Sequence, residues 1–198
     1  MAFTERSRAA RDAILTAARR RFTEEGYERT TIRTVAADAG IDPSMVMRYY
    51  GSKDGLFSAA VDVDLHLPHL IDVPSHELGA VVARHFVELW ESDWGQGTLI
   101  ILIRSAASHP EAADRVRAVF TEQVIPLVRK ATGDRADADV RAGLLSTHLL
   151  GTALCRYILR LPPVVTMDAD ALVAAMAPVL QHCLTGSLTE STRTAGSP

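Results

Sequence analysis

Seven residues set the strongest constraint on this chain. Leu78, Val81, Val82, His85, Phe86, Leu89 and Trp90 recur at i, i+3, i+4, i+7, i+8, i+11 and i+12. That spacing places them on one continuous face of a helix and is incompatible with a strand. The same period returns along the chain, with Ile14, Ala18 and Phe22 early and Val116, Val119, Phe120, Val124 and Leu127 later. Few stretches alternate strictly, so the expected fold is all-α, with about nine helices. At 47% hydrophobic content, 198 residues can bury a sizeable core.

Punctuation divides the helices. The first is expected over about 7–25, stopped by Gly26. Thr30 or Thr31 stands where an N-cap would, ahead of a short helix that Gly40 interrupts. Asp42 and Pro43 offer a cap and a first-turn proline for another short helix ending near Tyr50. A fourth starts near Lys53, and the segment 67–75, carrying Pro68 and Pro74, reads as a connecting loop. The long stripe is expected to end at Gly95-Gln96-Gly97. Further helices are expected over about 98–108, 110–130 (bent at Pro126), 139–160 and 168–184. Residues 186–198, rich in Ser, Thr and Gly, are expected to be a disordered tail.

Charge and cysteine content narrow the class. The net charge is −3, but residues 1–60 hold ten Arg or Lys against eight Asp or Glu, a mildly basic beginning on an acidic remainder. Two cysteines, Cys155 and Cys183, make no disulfide framework and read as buried thiols on apolar helices. No apolar run approaches the roughly 20 residues that span a bilayer, and residues 1–12 lack the apolar core of an export signal. A cytoplasmic protein without a membrane partner is therefore expected. His66 and His69 flank Pro68 with no Cys or carboxylate cluster to complete a ligand set, so no metal site and no cofactor are expected. Phosphate loops, nucleophile elbows and acid–base pairs are not legible, so no catalytic residue is named and an enzyme is not expected.

The segment Thr30 to Lys53 carries the functional information. Two short helices separated by a glycine break, with apolar spacers at Val35, Ala36, Ala39, Ile41 and Val46, suit a helix-turn-helix. Ala36 would lie at the helix crossing, and Gly40 would supply the positive φ of the turn. The second helix, Pro43 to Tyr50, makes sense as a rod offered to the DNA major groove. The sequence TTIRTVAADAGIDPSMVMRYYGSKDGL, Thr30 to Leu56, resembles the DNA-binding head of the tetracycline-repressor (TetR) family, and AARRRFTEEGY, Ala17 to Tyr27, resembles its first helix. The detailed match covers about residues 7–60. Met47 stands where the family often has an aromatic residue on phosphate, and Tyr49 where His is common.

The resemblance implies a three-helix head over 7–55, a helical effector-binding and dimerisation body over 56–185, and the following residue roles. Thr31 touches phosphate from a helix N-terminus. Arg33 reaches a base edge or a phosphate. Pro43, Ser44, Met45, Met47 and Arg48 belong to the groove-facing helix, with Arg48 the candidate for a bidentate guanine contact. Tyr49 and Lys53 hold the sugar-phosphate backbone. Arg19 to Arg21 stand apart from these roles and are expected to form the solvated face of the first helix, with one phosphate contact left open.

For the body, the aromatic stripe of His85, Phe86, Trp90 and Trp94, facing Leu102 and Phe120, is the candidate small-molecule cavity. Arg104, after five aliphatic residues, needs an anionic partner or solvent. Two broad apolar faces suit a homodimer through the last two helices. One carries Leu144, Leu145, His148, Leu149, Thr152 and Leu159; the other carries Leu172, Met176, Leu180, Cys183 and Leu184. The resulting expectation is a ligand-responsive repressor that binds a palindromic double-stranded DNA operator and is released by an unknown small apolar or amphipathic effector. The alternatives are a helical small-molecule-binding protein without operator recognition, and a helical enzyme whose site is not legible.

Overall fold

The structure, a computed structural model, describes residues 2–188. Of the expected tail, residues 189–198 lie outside the described residues. Among the described residues there is no strand. Helix α1 (Ala2–Arg29) buries Ile14, Ala18 and Phe22, and breaks at Gly26, where φ is +79°, before a last turn. Thr31, not Thr30, caps α2 (Ile32–Ala39). Its hydroxyl accepts from the Thr34 N–H and the Thr34 hydroxyl accepts from the Thr31 N–H, both at 3.1 Å. Thr30 turns inward and donates to the Gly26 carbonyl at 2.8 Å.

Gly40 closes α2 in the left-handed conformation at φ +65°. The Asp42 carboxylate accepts from the Ser44 N–H at 2.8 Å and caps α3 (Pro43–Tyr50), with Pro43 in the first turn. Ser52 caps α4 (Lys53–Ala60) in the same way. Val35, Ala36 and Val46 are fully buried where α1, α2 and α3 meet, so the crossing is built on small and β-branched side chains as the spacing requires.

The long helices of the body start with α5 (Leu78–Glu91) and α6 (Asp93–Ala106). The long stripe ends earlier than expected, because Ser92 both finishes α5 and caps α6. Its hydroxyl donates to the Leu89 carbonyl at 2.7 Å and accepts from the Gly95 N–H at 3.0 Å. Gly95 and Gly97 consequently lie inside α6. Gly95 is there for space, since a Cβ at that position would meet the Leu89 carbonyl oxygen at 1.9 Å.

Next come α7 (Pro110–Val119), a π-helical turn at Phe120–Val124, and α8 (Ile125–Thr132). The bend expected from Pro126 takes this form: a residue without an N–H follows a ladder already shifted to i→i−5, with Ile125 donating to Phe120. Helix α9 (Ala138–Ala153) likewise ends in a π-helical turn at Leu154–Ile158. A four-residue helix α10 (Pro162–Val165) and the long α11 (Ala169–Thr185) are the last helices among the described residues.

Helix α11 lies along α5, and this packing corrects one expectation. Leu172, Met176, Leu180, Cys183 and Leu184 are all buried within the subunit, so that face of α11 is core. The apolar surface left open is elsewhere. On α9 it comprises Val140, Leu144 and Leu150, continued by Leu154, with Gly143 and Gly151 leaving room between them; on α11 it centres on Val179. Arg141 ties the two helices together. It is fully buried, pairs with Asp137 at 2.8 Å, and donates to the carbonyls of Cys183 and Gly186 at 3.0 and 2.9 Å.

Candidate nucleic-acid interface and effector cavity

Capping and burial fix which side of the head faces outward. Val46 points into the core, which leaves Pro43, Ser44, Met47 and Arg48 exposed along one side of α3, with Met45 half-buried. Thr31 and Arg33 are exposed at the start of α2. Arg33 and Arg48 have no ion-pair or hydrogen-bond partner among the described residues. Asp42 is held below the usual carboxylate range by the Ser44 hydroxyl and N–H, so the cap of α3 stays charged.

Other cations of the head are committed. Arg21 and Arg20 both pair with Asp38 of α2, at 2.5 and 2.6 Å, and hold its carboxyl well below the usual range. Arg19 is partly desolvated and donates to the Ala60 carbonyl at 3.0 Å. The trio expected as a solvated face therefore braces α1 against α2 and α4.

Two expected backbone contacts also turn inward. Tyr49 accepts from the Ser7 hydroxyl at 3.4 Å and lies under the Arg11 guanidinium, 4.9 Å from the ring centre. Lys53 donates to the Glu28 carbonyl at 3.2 Å and sits 4.1 Å over the Tyr27 ring. Both remain half-exposed. The structure thus brings Thr31, Arg33, Pro43, Ser44, Met47 and Arg48 to the open side and sets Tyr49 and Lys53 against α1.

The second feature is a partly open cavity of about 410 Å³ lined by residues of α5, α6, α7, α9 and the π-helical turn after α7. His85, Phe86, Trp90, Leu102 and Phe120 all line it. Trp94 does not: with the turn at Ser92, it belongs to α6 and faces α1 across a separate cleft with Thr16, Arg19 and Thr23. Trp90 stacks on Tyr157 at 5.1 Å, and burial pushes the Tyr157 hydroxyl up to about 12. Arg156 locks this corner by pairing with Glu91 at 2.9 Å and donating to the Val164 and Met167 carbonyls. The few polar groups in the lining include His85, Arg117, Ser146 and Thr147. Arg104 is exposed and reaches the Thr23 carbonyl at 3.4 Å, so it takes the solvent option.

One wall of the cavity was not anticipated. Val63, Leu65 and Leu67, from the extended segment that follows α4, line it directly. The signal was present in the sequence: Val61, Val63, Leu65 and Leu67 alternate with Asp62, Asp64 and His66, the pattern of a half-buried extended strip. Three body side chains hold this strip. Gln123 accepts from the Leu65 N–H at 2.8 Å and donates to the Val63 carbonyl at 2.9 Å. Arg115 also donates to the Val63 carbonyl, at 3.0 Å, and pairs with Asp62. The His85 Nε2 lies 2.9 Å from the Leu65 carbonyl. The segment joining head to body is therefore part of the cavity.

Comparison with family models decides the identity. Residues 14–60 match the bacterial regulatory proteins of the tetR family, and residues 76–184 match the tetracyclin repressor-like C-terminal domain. The chain belongs to the TetR family. Among solved structures, it is similar to a TetR-family regulator from Streptomyces coelicolor A3, at 29% identity over 89% of this chain and 94% of that one, with a TM-score of 0.57. It is also similar to SmeT, the repressor of the Stenotrophomonas maltophilia multidrug efflux pump SmeDEF, at 25% identity over 86% and 87%, with a TM-score of 0.64. SmeT has also been solved in complex with triclosan. The fold is shared with NalD, the secondary repressor of the MexAB-OprM multidrug efflux pump in Pseudomonas aeruginosa, at 22% identity over 91% and 98%, with a TM-score of 0.69. A comparison with functionally curated proteins found no match. As a TetR-family regulator, the chain combines a helix-turn-helix head with a ligand-binding type of C-terminal domain, and no described helix is long and apolar enough to cross a membrane.

Proposed function

We propose that this TetR-family regulator is a repressor that binds a palindromic operator as a homodimer and is released by a small apolar or amphipathic effector. In this reading residues 7–55 form the operator-binding head and 56–185 the effector-binding and dimerisation body. The observation that carries it is the continuity between the two sites. The exposed side of α3 displays unpaired Arg48, while the strip leaving α4 supplies Val63, Leu65 and Leu67 to an apolar cavity. A ligand that moves this strip changes the seating of α4, and with it the head. Such a ligand must bind the two states with different affinity, typically by about 1–3 kcal/mol.

Dimerisation is assigned to the outward faces of α9 and α11. Val140, Leu144, Leu150 and Val179 are exposed there, and Gly143 and Gly151 permit close helix approach. Two heads on one two-fold axis match a palindrome with half-sites about one helical turn, or a multiple of it, apart. The similarity to SmeT supports an aromatic, largely apolar effector, and triclosan is a suitable first probe.

The test is selection from a random duplex library with purified protein at near-physiological salt, followed by titration of the selected complex with triclosan and other apolar aromatics. Enrichment of a palindrome and its release by a cavity ligand are expected. Failure to enrich any sequence, with no co-purified ligand found in the cavity, would overturn the repressor reading.

A further inference from the structure

We infer that Met47 reads the 5-methyl group of a thymine in the operator half-site. The inference rests on the proposal that α3 enters the major groove, and adds which base feature that helix recognises. Met47 is 45% exposed, although it belongs to a helix whose adjacent residue, Val46, is completely buried. The orientation of α3 is therefore fixed by its core side, and Met47 is displayed between Ser44, one turn before, and Arg48, the next residue. Among the side chains described, the other large exposed apolar ones lie at residue 71 or beyond, in the body.

Chemistry selects its partner. A thioether carries no N–H or O–H, so Met47 cannot donate a hydrogen bond to a phosphate, and its weak acceptor sulfur gains nothing from an anion. Among the edges that B-DNA presents in the major groove, the thymine C5-methyl is the apolar group; the rest are hydrogen-bond donors and acceptors. The long, unbranched, polarizable side chain of methionine adapts to such a contact. Its neighbourhood favours nucleic acid over an apolar protein partner, because Arg33 and Arg48 on the same head are cations without partners. Ser44 gives its backbone N–H to the Asp42 cap at 2.8 Å, and Met47 and Arg48 lie beyond that cap, exposed on the same side of α3.

The experiment uses the duplex recovered by selection with the full-length protein, resynthesised with deoxyuridine replacing each thymidine in turn. This removes one methyl group and leaves base pairing intact. One thymine in each half-site is expected at which uracil weakens wild-type binding by about fourfold, the worth of one buried methyl-sized group. Met47→Ala, a change at an exposed site, is expected to bind the thymine and uracil duplexes equally. Unchanged wild-type affinity at every uracil position would overturn the inference, as would a thymine preference that survives in Met47→Ala. Failure to recover any duplex, with no co-purified ligand found in the cavity, would overturn the operator reading itself. Recovery of a palindrome insensitive to uracil would overturn only the role of Met47.

Discussion

Gln123 and Leu65 are joined by a hydrogen bond, 2.8 Å from the Leu65 backbone nitrogen to the Gln123 side-chain oxygen, across 58 residues of sequence. The amide of the same side chain reaches the Val63 carbonyl. Gln123 stands in the π-helical turn that ends α7, and Leu65 lies in the strip leaving α4, so one carboxamide fastens the body to the connection that carries the head. Gln123→Leu removes the partner of a half-buried N–H. It should lower stability by about 1–2 kcal/mol, measured by thermal or urea unfolding. It should also shrink the difference in operator affinity with and without effector. An unchanged melting temperature together with unchanged effector response would remove the strip from the coupling.

The α5–α6 turn offers a steric prediction. A Cβ at Gly95 would overlap the Leu89 carbonyl oxygen, a backbone atom that cannot swing aside. Gly95→Ala should therefore destabilise the protein by about 1–3 kcal/mol through overpacking, whereas Gly97→Ala, where a Cβ meets nothing within 4 Å, should be neutral or mildly stabilising. Paired melting curves of the two variants make the comparison, and equal effects would contradict the geometry.

Acid sensitivity follows from two carboxylates. Asp137 is drawn from 3.8 down to about 2, first by its hydrogen bond to Arg141 and then, more weakly, by Arg135. Asp38 is likewise held low by Arg21 and Arg20. Both titrate lower in the folded chain than in the unfolded one. Their contribution is complete above the unfolded value and is lost as pH falls through the folded values, so the window opens near pH 4 and runs down through about pH 2 for Asp137 and lower still for Asp38. The double variant Asp38→Asn, Asp137→Asn should start less stable at pH 7 and lose less stability through that window. Parallel curves for variant and wild type would show that other groups govern acid unfolding.

The two tryptophans divide the reporting. Trp90 lines the cavity and Trp94 does not. In a Trp94→Phe variant, titration with triclosan should change the emission of Trp90 in a saturable way. In Trp90→Phe, the remaining Trp94 signal should respond weakly or not at all. A response carried by Trp94 alone would move the ligand site to the α1–α6 cleft.

These results show which parts of the fold were legible in the sequence. Thr31, Gly40 and the Asp42-Pro43 pair act on their own backbone, so the boundaries of α2 and α3 could be read from neighbouring residues alone. The end of α5 could not, because Ser92 caps from a distance of three residues while two nearby glycines suggest a break; only the clash at Leu89 shows that Gly95 serves packing. Periodicity identified Leu172, Met176, Leu180, Cys183 and Leu184 as a buried face, but a period cannot say what buries it, and the partner proved to be α5. Five of the six expected cavity residues gather around one space. Trp94 fails with the misplaced helix end, and the strip 61–67 was missed because its two-residue alternation is short. The inward turn of Tyr49 and Lys53 depends on α1, distant in sequence, and no local pattern encodes it.

The central claim, that the exposed side of α3 reads an operator, is tested most directly through Arg48. Operator affinity of wild type and Arg48→Ala should be measured by fluorescence anisotropy on the selected duplex and on its single-base variants, across a salt series. Arg48→Ala is predicted to weaken binding by about 1–3 kcal/mol and to relax preference at one base position in each half-site. Unchanged affinity and unchanged base preference in Arg48→Ala would contradict the assignment of α3 to the major groove.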